Sequence, residues 1–164
     1  MQANRSILSR LCLTLALLLS STGLWAGTPQ PTLPKVTLTI GKHQITAEIA
    51  RTEQELSSGM MFRTRLGDNE GMLFCLTKEG QANFWMENTL IPLSVAYIDR
   101  TGKILEIHDM KPLDETNIPS TSDKIYYALE TNQGWFPLNK IEPGEIIKPI
   151  GTTLDNIRNQ KSTP

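Results

Sequence analysis

The side chains best equipped for chemistry are Arg63, Asn88, Thr89 and Glu130, and they are scattered along the chain. A guanidinium presents a rigid fork of donors, a carboxylate accepts from hydroxyl or amine groups, and Asn and Thr do both. Arg63 closes the segment "GMMFR". Glu130 ends an apolar strand at a position where alternation puts it beside Tyr126 and Ala128 rather than Leu129. If these groups meet near Asn88 they form a polar cluster ringed by Trp85, Tyr126 and Trp135. Flat aromatic edges around such a cluster suit a sugar or a peptide end. A buried Arg–Glu pair is more often an architectural device than a catalytic one, so Arg63 and Glu130 carry both readings.

The string "NFWMENTLIPLSVAYID", residues 83–99, holds the middle of this set. Read as extended chain, it puts Phe84, Met86 and Asn88 on one side and Trp85, Glu87 and Thr89 on the other. It is therefore no plain apolar-in, polar-out strand. The structural reading has Trp85 and Met86 filling core while Asn88 and Thr89 cap their own turn ahead of Pro92 through side-chain to backbone bonds. The functional reading has them lining a site.

Stronger enzyme signatures are missing from the sequence: it contains no HExxH, CxxC, GxSxG or phosphate-cradling glycine loop. No catalytic residue, metal ligand set or cofactor is assigned. Glu106 and His108 share a strand face, but two ligands without a third describe a solvated surface better than a metal site. His43 adjoins a hairpin turn. Cys75, between Phe74 and Leu76, reads as a buried, protonated thiol.

These residues need a framework, and the pattern supplies a β-rich one. "KVTLTIGKHQITAEIA" alternates twice around Gly41-Lys42, which predicts a two-residue hairpin with a type II′ turn. Thr52 and Glu55 stand at capping-box spacing and Gly59 can end the turn, predicting a short peripheral helix. "GMLFCL" predicts a strand covered on both faces, and "LSVAYIDRTGKILEIHDM" two strands joined at 99–102. Residues 110–123 read as a long loop, "KIYYALET" as a strand, "NQGWFPLNKI" as a turn with one helical turn, and "GEIIKPI" as a last strand closed by Pro149. The expected fold is mainly β (α+β): a barrel-like or sandwich-like antiparallel domain of about seven strands with one or two short helices, without βαβ alternation.

At the start of the chain, Arg5 and Arg10, an apolar run at 11–19 and a plausible cleavage end at 23–26 read as an export signal over residues 1–26. The expected organisation continues with a Pro-rich extended linker at 27–34, one domain at 35–151 and a polar, frayed tail at 152–164. Beyond the signal, 14 basic and 17 acidic residues remain, a net charge of about −3. That balance, with no basic run, argues against nucleic acid or anionic lipid as partner, and no later segment is apolar enough for stable membrane insertion. Of the two cysteines only Cys75 lies beyond the signal, so an internal disulfide is excluded there.

Four segments together resemble a widespread bacterial and archaeal family known as domain of unknown function 192: "GMMFRTRLGDNEGMLF", "FWMENTLIPLSVAYIDRTGKI", "MKPL", and "YYALETNQGWF" leading to "IEPGEII". The resemblance spans roughly residues 36–150 and implies a barrel-like, mainly β single domain. It implies no reaction, because none is established for the family. It marks Arg63, Asn88, Thr89 and Glu130 as recurring polar positions, with Trp85, Met86, Gly102, Gly134 and Trp135 as further signature residues. After Pro-Leu the family usually carries Asp, where this chain has Ser94, which weakens any acid–base role at that position and leaves a structural one open.

The leading functional expectation is an exported binding module, periplasmic or secreted, whose Arg63, Trp85, Asn88, Thr89, Glu130 and Trp135 bind a small polar ligand such as a sugar or a peptide end. One alternative is a hydrolase or transferase using Glu130 beside Arg63. The other is an envelope accessory or assembly protein acting through contacts with a protein partner.

Overall fold

The computed structural model describes residues 27–160, so the expected export signal lies outside the described residues. Strands β1 (Lys35–Ile40) and β2 (His43–Ala50) pair in the expected register, Ile40 opposite His43. Only Gly41 of the two turn residues takes a positive φ, 57°, as a type II′ turn requires. Helix α1 (Glu53–Ser58) has the full capping box: Thr52 accepts from the Glu55 N–H, and Glu55 reaches back to the Thr52 N–H. No residue of α1 is buried, so the caps, with the Gln30 amide on the Glu55 and Gly59 carbonyls, hold its ends.

Strand β3 (Glu70–Gly80) follows, then β4 (Asn83–Phe84), β5 (Leu93–Ile98), β6 (Ile104–Met110), β7 (Ile118–Pro119), β8 (Ile125–Asn132), helix α2 (Trp135–Leu138), β9 (Ile147–Pro149) and helix α3 (Leu154–Asn159). Seven strands form one sheet in the order β6-β5-β8-β3-β2-β1-β9, while β4 and β7 make a small second sheet. Lys103 bridges to Ile146, so the two edges of the large sheet meet at one end and the sheet curls into a half-barrel. The barrel-like, mainly β expectation is met.

Three details differ from the sequence reading. The β2–β3 pair is parallel, with α1 as crossover, whereas the chain pattern suggested hairpin connections only. A six-residue helix without a buried face leaves no apolar period to read. Residues 27–34 dock rather than dangle: the Leu33 N–H donates to Glu48 and Leu33 packs on the core. The expected frayed tail instead forms α3, which buries Leu154 and Ile157. Burial of each such side chain contributes about 2 kcal/mol, and two apolar residues three apart in a polar segment were too sparse a signal to predict it.

Strand β8 lies between β5 and β3 in the interior of the sheet and is covered on both faces. One face joins Leu73, Ala96, Tyr127 and Leu129 to Trp135, Phe136, Leu154 and Ile157; the other joins Met72, Phe74, Val95 and Ala128 to Met60 and Met86. Gly102, at φ +89°, closes the curl, accepting from the Ile147 N–H while its own N–H donates to Asp99. A Cβ there would stand 2.6 Å from the Ile147 carbonyl oxygen. Gly102→Ala is therefore expected to destabilise the protein by at least ~2 kcal/mol, since left-handed strain and the clash add. Urea unfolding monitored by circular dichroism measures it, and an unchanged midpoint would contradict this role.

Candidate functional site

The strand register sets one row of side chains across the sheet. Glu48 on β2 is opposite Met72 on β3, Met72 is opposite Glu130 on β8, and Glu130 is opposite Val95 on β5. The two carboxyls thus face the same way, two strands apart, or roughly 10 Å.

Arg63 settles on the first of them. Its guanidinium meets Glu48 in a fork, Nη1 to Oε1 and Nη2 to Oε2, both at 2.7 Å, and Oε2 also accepts from Leu33. Burial alone would raise the Glu48 carboxyl, but the hydrogen bonds from Arg63 and Leu33 and the guanidinium charge outweigh it and hold Glu48 below the usual carboxylate range. Arg63 rises in turn through its hydrogen bond to Glu48. The expected Arg63–Glu130 pair does not form. Its replacement was hidden because Glu48 occupies a polar position of an alternating strand and reads as solvent-facing. The only cue was Ala50, apolar on the same face.

Glu130 is left among apolar neighbours. It is 4% exposed, and its Oε2 is buried with no hydrogen-bond partner among the described residues. Burial pushes its carboxyl up to about 8 against the opposing pull of the Arg63 charge. Glu130 lines a cleft of about 390 Å³ whose apolar wall includes Leu56, Met60, Phe74, Phe84 and Trp85. Thr89 also lines it; its hydroxyl donates to the Glu87 carbonyl, which leaves oxygen lone pairs free to accept.

Three loops surrounding this region are knitted together by backbone bonds. Phe62 N–H donates to the Asn88 carbonyl, Leu113 N–H to the Thr89 carbonyl, and Met86 N–H to the Asp114 carbonyl. Phe62, Asn88 and Leu113 all have positive φ, at 62°, 51° and 60°. Asn tolerates that conformation; Phe and Leu adopt it at a cost of ~1 kcal/mol or more each. Asn88 thus serves as a turn residue, and among the residues expected to bind ligand it does not line the cleft.

Trp85 and Trp135 part company. Trp85 is 46% exposed on the cleft wall, not in the core, whereas Met86 is fully buried. Trp135 belongs to the core on the opposite face of the sheet, its indole N–H donating to Asn69. It does not edge the cleft, because Gly134, left-handed at φ 79°, turns the chain into α2 across that other face. Tyr126 is likewise absent from the cleft: Arg100 and Arg158 stand against its ring. The structure therefore brings together Trp85, Thr89 and Glu130 and keeps Arg63, Asn88 and Trp135 out.

Ser94 also faces away from the cleft. Its hydroxyl donates to Asp109 and accepts from the Gly134 N–H at 2.9 Å, so it holds the start of the α2 turn. Its structural reading stands, and the exchange of Asp for Ser leaves the cleft untouched. His108 meets Glu106 at 3.2 Å, and Glu106 itself accepts from Thr121 and Ser122, pinning the long loop; among the described residues no group of three or more metal-ligating side chains gathers. Cys75 is buried, its thiol pushed up to about 12 by desolvation. Among the described residues no helix is long and apolar enough to cross a membrane.

Comparison with known proteins agrees with the fold. The model of the DUF192 family, described as an uncharacterized ACR, matches residues 36–149. A crystal structure of a candidate transcription regulator from Sinorhizobium meliloti 1021 is similar at a TM-score of 0.70 and 27% identity, covering 75% of this chain and 99% of its own. A protein of unknown function from Novosphingobium aromaticivorans DSM 12444 is similar at a TM-score of 0.67 and 34% identity, covering 73% of this chain and 89% of its own. No curated protein matches the chain.

Two measurements test the electrostatics. Arg63→Ala strands the Glu48 carboxylate, 8% exposed as a side chain, and is expected to cost roughly 3 kcal/mol in urea unfolding. For Glu130 the sign is opposite to that of a paired carboxylate. It ionises near 4.5 when unfolded and near about 8 when folded, so between those values the folded state holds a proton that the unfolded state lacks. Stability due to this group falls as pH rises through that window and levels off above it. Glu130→Gln removes the term: the variant should match the parent near the acid end and exceed it by a few kcal/mol at the alkaline end. Parallel pH–stability curves for the two proteins would contradict it.

Proposed function

We propose that this chain, which belongs to the DUF192 family, is a binding module that takes the polar end of a small ligand into the cleft above Glu130. One observation carries the reading: the Glu130 Oε2 is buried without a partner among the described residues, in a residue that lines an open cleft. Native interiors leave few polar atoms in that state, and a ligand group is one way to satisfy it. The half-exposed Trp85 beside it offers a flat apolar face to the rest of the ligand. The expected pair of ligand classes, sugar and peptide end, is retained, with Thr89 and Glu130 as the polar contacts.

The alternative of a hydrolase or transferase is favoured by a different property of the same group. A carboxyl held protonated near neutrality can act as a general acid. Arg63 no longer assists it, since Glu48 engages the guanidinium fork. Residues 1–26 are proposed to act as an export leader, which would place the domain in a periplasm or outside the cell, with an envelope protein as an alternative partner.

Trp85→Ala should leave the unfolding midpoint nearly unchanged, because the side chain is 46% exposed. It should nevertheless weaken any cleft ligand by ~tenfold or more. Amide and indole chemical-shift changes on titration with sugars, amino acids and short peptides measure this. Shifts confined to residues remote from Trp85, Thr89 and Glu130 would count against the reading, as would no shifts for any compound, and turnover abolished by Glu130→Gln in a folded variant would favour the enzyme.

A further inference from the structure

We infer that the cleft selects a primary ammonium joined to an apolar group, with the cation on Glu130 and the apolar part against Leu56, Met60, Phe74, Phe84 and Trp85. The inference rests on the binding role proposed above and names the ligand chemistry.

The charges decide it. The titratable residues lining the cleft are Glu53, Glu87 and Glu130, all acids, with no Lys, Arg or His among its lining residues. Among the described residues the cation acting on Glu130 is Arg63, which is held in its fork with Glu48 and lines a different surface with Pro29 and Gln30. A ligand carboxylate would enter beside Glu53 and Glu87 with no cation in the lining to pair with it. A sugar, being neutral, would leave the acidic lining without a counter-charge. An ammonium brings three donors, matching the unpartnered Glu130 Oε2 and the accepting lone pairs of Thr89. The two methionines Met60 and Met61 give the wall an adaptable surface for side chains of differing shape.

Binding of this kind is linked to a proton. The ionisable groups facing Glu130 are Arg63 and Glu48 from the neighbouring strand side, Glu53 from α1, Glu87 from the loop after β4 and the Tyr97 phenol from β5, which burial keeps protonated. Arg63 is held by Glu48 and only partly offsets the burial of Glu130, so an incoming ammonium meets the Glu130 carboxyl, which must lose its proton to pair. The carboxyl is pushed up to about 8. Affinity for an alkylamine, itself charged to about pH 10, should therefore rise about tenfold between about pH 7 and about pH 9. A peptide amine, which loses its charge near 8, should bind best at about that pH.

The test is calorimetric titration of the purified protein with phenethylamine, phenylalanyl-alanine amide, N-acetylphenylalanine amide, 3-phenylpropionate and glucose. The inference expects heat from the two amines, none from the acetylated, carboxylate or sugar compounds, and proton release into buffer. Tighter binding of the dipeptide amide assigns a peptide amino end as source, and tighter binding of phenethylamine a free amine. Glu130→Gln should abolish amine binding; should that variant not fold, the pH profile and buffer dependence of the unaltered protein read the same linkage. Amines that bind without proton release, or equally to the folded Gln variant, overturn the inference. Binding of the carboxylate or sugar in place of the amines overturns it while leaving the binding role intact, and silence from all compounds overturns both.

Discussion

The bidentate contact between Arg63 and Glu48 sets the electrostatics of the row of side chains that runs from Glu48 to Glu130. A guanidinium can neutralise one carboxylate well, and the one it takes belongs to β2. The second carboxyl in the row, Glu130, is thereby deprived of a counter-ion at a point where neighbouring strands bury it. Its ionisation is then set by desolvation rather than by pairing. Had the arginine crossed Met72 to reach β8, the floor of the cleft would carry a neutral ion pair and offer a ligand nothing but apolar wall.

The surrounding loops hold this arrangement at some local expense. Three connections with left-handed residues at Phe62, Asn88 and Leu113 are tied to one another by main-chain bonds rather than to the strands beneath. Strained backbone persists where the neighbourhood over-determines it. Here the neighbourhood is the fully buried Met86, together with the Glu106 carboxylate that anchors residues 121 and 122. A rigid rim around an under-satisfied floor is the arrangement that preorganised recognition calls for.

Local signals were legible and long-range ones were not. The Thr52–Glu55 box, the Gly41-Lys42 turn and the doubly covered strand around Leu73 each rest on a few adjacent residues, and each is present as read. Glu48 could not be read, because its burial depends on β2 lying parallel to β3 and on residues 27–34 folding over it. Trp85 and Trp135 have the same side chain and opposite fates, decided by which face of the sheet their loops cross. Glu130 was placed on the correct strand face by alternation alone, but its solitude depended on where Arg63 went. For the same reason α3 escaped notice: Leu154 and Ile157 acquire meaning only when the curl presents a surface to cover.

The position of β8 has a consequence for how the molecule is made. It is the eighth strand in the chain yet sits in the interior of the sheet, between β3 and β5. Until residues 125–132 emerge, the third and fifth strands each present an open edge with unsatisfied amides and carbonyls. The sheet cannot mature progressively from its beginning, and its assembly waits on contacts between distant parts of the polymer, the kind that slow folding. A chain built this way cannot join its third and fifth strands until residue 132 has been synthesised.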